Sequence, residues 1–123
     1  MAKPSGPGQN PRNVAFLVRH PPVASGWASE ALRVAVGMTL AGGNRITVVF
    51  LGPGVLSLAR SRPGAAGALE VREHIETLRE MEVRLVAEEE ACARHGIVPE
   101  GAEVADREAI AAILAEAEVL QSW

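Results

Sequence analysis

At 123 residues, 48% hydrophobic and 22% charged, the chain has the size of a single domain and enough apolar mass for a core. Its formal charge of −3 becomes more negative once Lys3 and Arg12 near the N-terminus are set aside, which argues against a nucleic-acid partner. The only aromatic residues, Phe16, Trp27, Phe50 and Trp123, give no series of base-stacking platforms, and no apolar run approaches the roughly 18 residues of a membrane span.

The opening MAKPSGPGQNPR lacks the hydrophobic stretch of a secretory signal and is too rich in Pro, Gly, Ser and Asn to bury apolar surface. Residues 1–12 therefore read as a disordered leader and 13–123 as one domain. The single cysteine, Cys92, has no partner for an internal disulfide and no paired spacing for zinc. The expectation is a cytoplasmic protein with no metal, no bound cofactor and no membrane partner.

Asn13 to Val18, N-V-A-F-L-V, is a short continuous apolar run of the kind made by a strand covered on both faces. Arg19, His20 and the two prolines that follow end it. Ser25 reads as the cap of a helix through Ala28, Ala31, Leu32, Ala35, Val36, Thr39 and Leu40. This helix is apolar nearly all round, so deep burial is expected, and Gly42-Gly43 stops it. The β-branched run Ile46 to Leu51 predicts a second strand, broken by Gly52-Pro53-Gly54.

Leu58 to Gly67 reads as an exposed, lid-like loop. From Ala68 to Glu80, Ala68, Val71, Ile75 and Leu78 form one apolar stripe, with Glu70, Arg72, Glu73, His74, Glu76 and Arg79 turned to solvent. Val83 to Ala87 predicts a third strand. Glu88-Glu89-Glu90 then opens a short helix that Gly96 terminates, with His95 complementing its C-terminal dipole. A short strand at 101–105, a helix capped by Asp106, and a last strand from Val119 to Trp123 complete the chain. Strands alternating with helices in this way predict an α/β fold, a three-layer α/β/α sandwich around a mostly parallel five-stranded sheet.

In such sheets ligands bind beyond the carboxyl ends of the strands. That rule singles out Arg19 and His20 after the first strand, Trp27 beside that loop, Gly52 and Gly54 after the second, and Glu88 after the third. An imidazole at His20 is placed to bond a ligand or pair with Glu88, or else to sit in solvent. Gly52 and Gly54 would let a backbone approach a ligand, although Gly-x-Gly alone matches neither a dinucleotide fingerprint nor a phosphate loop. Trp27 either walls a pocket or packs on a partner chain, and Trp123 anchors the last strand. The eight glutamates between Glu70 and Glu90 form a solvated face or a docking surface for a basic partner.

In their order, "VAFLVRHPP", "ASEALRVAVGMTLAGGNRITVVFLGPGV", "VRLVAEEEACARHGIVPEG" and "LAEAEVLQSW" resemble the DsrE/DsrF-like family of sulfur-relay proteins, which includes the Tus proteins of tRNA thiolation. The resemblance covers Asn13 to Trp123 and implies a DsrE-like fold. It also implies assembly as a homo-oligomer, a trimer or hexamer, and other sulfur-relay proteins as partners. The family places its sulfur-accepting cysteine eight residues before the glycine matching Gly96. Here that position is Glu88. A second family cysteine falls at Ala91, with Cys92 one residue away.

Cys92 lies about a turn inside its helix behind three carboxylates, a setting that opposes thiolate formation. It reads as a small buried apolar residue. Three functions follow as expectations. The first is a family member without its transfer cysteine, serving as a non-catalytic subunit or homo-oligomeric binding protein in sulfur trafficking. The second is a persulfide carrier acting through Cys92, and the third a module that binds a small anion or other ligand at the strand ends.

Overall fold

A computed structural model describes residues 11–22, 26–59 and 68–123, apart from the side chains at 68 and 69. Its elements are β1 (Arg12–Val18), α1 (Trp27–Ala41), β2 (Asn44–Phe50), the 3-10 helix η1 (Gly52–Leu58), α2 (Ala68–Glu80), β3 (Arg84–Glu88), α3 (Glu89–His95), β4 (Glu103–Ala105), α4 (Arg107–Ala115) and β5 (Val119–Ser122). The sheet is five-stranded in the order β4-β3-β2-β1-β5. Every pairing is parallel, with Val14 opposite both Ile46 and Val119.

Because side chains alternate along a strand, the sheet divides its apolar residues between two faces. Val14, Phe16, Val18, Ile46, Val48, Phe50, Leu85 and Ala87 pack with Ala28, Leu32 and Ala35 of α1, Val71, Ile75 and Leu78 of α2, and Ala91 and Cys92 of α3. Leu17, Val49 and Val86 point the other way, onto Ile110 of α4. The result is the expected three-layer α/β fold, with one thick helical layer and one supplied by α4.

Three local readings hold in detail. The stripe Val71, Ile75 and Leu78 is buried on a helix that runs over the expected Ala68–Glu80. Asp106 caps α4 by accepting from the Ala109 N–H at 2.8 Å. Gly96, at φ +66°, ends α3 in the left-handed region.

Other readings are corrected. The N-cap of α1 is Gly26, in left-handed backbone, whereas Ser25 lies outside the described residues. α1 is not deeply buried all round, since it buries Ala28, Ala31, Leu32 and Ala35 but leaves Trp27 50% and Leu40 73% exposed. An apolar helix on a single sheet face has only one face to bury. His74 is half-buried, with Nε2 shielded and unbonded, not solvated. Of the expected lid-like loop, 60–67 lie outside the described residues. So do residues 1–10 of the expected leader, and β1 begins one residue earlier than the sequence reading placed it, at Arg12.

Candidate functional site

The carboxyl edge of the sheet holds two separate arrangements, one on each face. The first is built on Glu88. Arg84, Val86 and Glu88 share a strand face, so Glu88 follows Val86 toward the α4 layer and ends β3 only 7% exposed. It occupies the N-cap position of α3 but makes no side-chain cap bond to that helix. Its Oε1 instead accepts from the Gly52 N–H at 2.9 Å, and its Oε2 accepts from Arg107 Nε–H at 3.3 Å. A buried carboxylate is tolerable only when bonded and paired in this manner. Both oxygens are engaged by these two donors. Glu89, the first residue of α3, is exposed, and Glu90 is half-buried.

Gly52 and Gly54 acquire specific roles from this geometry. The chain does not loop out after β2. Pro53 instead opens a 3-10 helix, at a position where its missing N–H costs nothing. Gly52, at φ +51°, adopts the left-handed backbone that presents its N–H to Glu88. At Gly54 a Cβ would lie 1.9 Å from the Val18 carbonyl oxygen and 2.7 Å from the Val18 carbonyl carbon. The backbone that Gly54 allows to come close is therefore the end of β1.

Cys92 sits one turn into α3, 6% exposed and within the core on the α1 and α2 side. Burial pushes its thiol above the ordinary value, and the Glu88 carboxylate pushes in the same direction. Little thiolate forms at neutral pH, and what forms is poorly accessible.

The second arrangement lies where the strand order turns, since β2, β3 and β4 are laid to one side of β1 and β5 to the other. His20, Trp27 and Trp123 form a row there, with ring centroids 6.0 Å apart for His20 and Trp27 and 6.4 Å for Trp27 and Trp123. The backbone of Trp123 is pinned to β1 by its N–H to Leu17 O at 2.9 Å and by its carbonyl, which accepts from the Arg19 N–H at 3.1 Å. His20 Nδ1 and Trp123 Nε1 are buried without hydrogen-bond partners. The structure thus gathers His20, Trp27 and the Arg19 backbone, while the hydrogen-bond partners of Glu88 are Gly52 and Arg107, not His20.

Sequence reasoning passed over Arg107 and Ser57. Arg107 directly follows the cap of α4, but nothing in the sequence says which carboxylate its helix start will face. Ser57 lies in η1, a helix too short to leave a period. Among the described residues no group of three or more His, Cys, Asp or Glu side chains is placed to hold a metal ion. No helix among them is long and apolar enough to cross a membrane.

Comparison with known proteins agrees with this architecture. The profile of the DsrE/DsrF-like family matches residues 12–121. Among solved structures, the crystal structure of the ychN protein from E. coli superposes with a TM-score of 0.81 at 16% identity, covering 91% of this chain and 99% of that one. No curated protein sequence matches. The chain belongs to the DsrE/DsrF-like family and has its α/β fold.

Proposed function

We propose that this DsrE/DsrF-like chain is a sulfur-relay family protein that does not itself carry sulfur, and that it serves sulfur trafficking as a non-catalytic subunit or homo-oligomeric binding protein in the cytoplasm. The observation that carries this reading is Glu88. At the position where the resemblance places the acceptor cysteine, the chain has a buried carboxylate bonded to Gly52 N–H and Arg107. Its two oxygens take up the Gly52 N–H and the Arg107 guanidinium. Cys92 is no replacement, because it is buried and its thiol is pushed up. Assembly into a trimer or hexamer is supported by large apolar side chains left exposed, Trp27 at 50% and Leu120 at 53% among them.

The test is to install the missing group. Glu88→Cys puts a thiol at the N-cap position of α3, where the unpaired N–H groups of a helix start favour thiolate. Incubated with a persulfidated donor, the folded variant should gain the mass of one sulfur atom at residue 88, shown by peptide mapping. A folded variant that takes up no sulfur would remove the support for reading Glu88 as the occupant of the acceptor position.

A further inference from the structure

β5 ends the sheet on one side, and among the described residues it pairs with β1 alone. Its sequence, V-L-Q-S, has no charge and no proline, and Leu120, Gln121 and Ser122 are all exposed. Along a strand the N–H and C=O of every second residue face the same side. Trp123 turns both toward β1, donating to Leu17 O at 2.9 Å and accepting from the Arg19 N–H at 3.1 Å. Gln121 and Val119, in step with it, face β1 as well. Leu120 and Ser122 therefore direct their N–H and C=O outward, as two donors and two acceptors on an open edge.

Edges of this kind are ordinarily guarded by a charge, a proline, a bulge or brevity. The opposite edge is guarded: β4 has three residues and begins at Glu103, which Arg84 holds by two hydrogen bonds. β5 is short, at four residues, but has none of the other guards. The nearest carboxylate, Glu118, is turned to the Asn13 N–H at 2.9 Å.

We propose that β5 is the contact through which two copies of this chain join, each strand pairing antiparallel with its counterpart about a two-fold axis at Gln121. The proposal rests on the homo-oligomer reading and names its contact. Centring on Gln121 sets Leu120 opposite the partner's Ser122 and Ser122 opposite the partner's Leu120, and each pair exchanges two backbone hydrogen bonds. Every outward N–H and C=O of both strands is then used. Centring on Leu120 or Ser122 would join only one such pair, because the Glu118 N–H is already given to Asn13 O. A second copy fits this edge better than a charged partner. Gln121 meets Gln121 amide to amide, and a chain of net charge −3 meets its copy with no carboxylate opposite another. A basic partner would find no carboxylate on the strand. A contact of this symmetry closes at two copies, and of a trimer and a hexamer only the hexamer contains two-fold axes. The pairing therefore selects the hexamer.

The test uses the full chain with Gln121→Cys, treated with diamide as oxidant and run on a non-reducing gel. Directly opposed residues between hydrogen-bonded pairs lie about 4.5 Å apart at Cα, within the range a disulfide spans. A covalent dimer linked through residue 121 is expected by peptide mapping, and the buried Cys92 should not compete. Ser122→Cys is the register control, since its two copies lie on a diagonal of roughly 7–8 Å, too far to bridge. Leu120→Glu with Ser122→Glu sets carboxylate opposite carboxylate and should halve the native mass in light scattering, whereas Leu120→Glu with Ser122→Lys should keep it. All four residue changes fall on exposed side chains, and circular dichroism checks that the variants fold. No cross-link at residue 121, equal cross-linking at 121 and 122, or a native mass kept by the double glutamate variant would overturn the pairing. A native trimer would overturn it and leave the homo-oligomer reading standing; a native monomer would overturn both.

Discussion

Gly54→Ala probes the junction that positions the whole carboxyl edge. The added Cβ would stand 1.9 Å from Val18 O, 2.7 Å from Val18 C and 3.2 Å from Arg19 N, and all three are backbone atoms that cannot swing aside. Since carbon and carbonyl oxygen approach to roughly 3.3 Å, η1 and the end of β1 must separate by more than about 1 Å. That movement strains the Leu51 N–H bond to Val18 O, now 3.0 Å, and disturbs the packing of Val55 and Leu58, both buried. Overpacking costs about 1–3 kcal/mol and a compromised buried hydrogen bond a comparable amount, so a loss of about 3–5 kcal/mol is expected. For a domain of this size that lowers Tm by more than about 10 °C. Gly37→Ala is the internal control, because it lies in the middle of α1 with nothing within 4 Å of an added Cβ. It should raise stability by about 0.5–1 kcal/mol. Urea and thermal unfolding followed by circular dichroism give both values. Gly54→Ala within about 1 kcal/mol of the native protein would refute the close-contact reasoning.

Three further outcomes are expected. Arg84 holds Glu103 in a two-bond ion pair at 2.8 and 3.0 Å and keeps its carboxyl below the ordinary 4.5. The stabilisation is therefore present above that value and lost as pH falls through the lower folded one. With both side chains about half exposed, it amounts to less than about 1 kcal/mol. The Tm difference between native protein and Glu103→Gln should then vanish in acid, and a constant difference would contradict the pairing. Cys92, its thiol raised above 9.0 by burial, should react slowly with iodoacetamide at neutral pH in the native state and rapidly in urea. Equal rates would show that it is accessible. Light scattering at micromolar concentration should return a trimeric or hexameric mass, and a monomer would refute the assembly proposed from the exposed apolar side chains.

Much of the fold was legible because its signals are local. The apolar runs at 13–18 and 46–51, the α2 stripe, the Asp106 cap and the Gly96 stop each need only a few neighbouring residues. The 3-10 helix was not legible, since G-P-G-V-L-S-L has no period of its own and forms against the end of β1. The exposure of Trp27 and Leu40 was hidden for a related reason: an apolar helix carries no mark of which face the sheet will cover. At the candidate site, the strand-end rule found Glu88, Gly52 and His20. The run Glu88-Glu89-Glu90 did not reveal that the first glutamate belongs to the strand and is buried. That depends on the pleat that sets Glu88 beside Val86, and on Arg107, nineteen residues away.

The most direct test of the central claim is intact-mass spectrometry of the native protein after exposure to a persulfidated donor, with Cys92→Ser run alongside. The account predicts no sulfur adduct on either, because it assigns the acceptor position to Glu88, a bonded carboxylate, and the single thiol of the chain is buried with its ionisation disfavoured. A sulfur adduct on the native chain that Cys92→Ser abolishes would contradict it and make Cys92 a persulfide carrier.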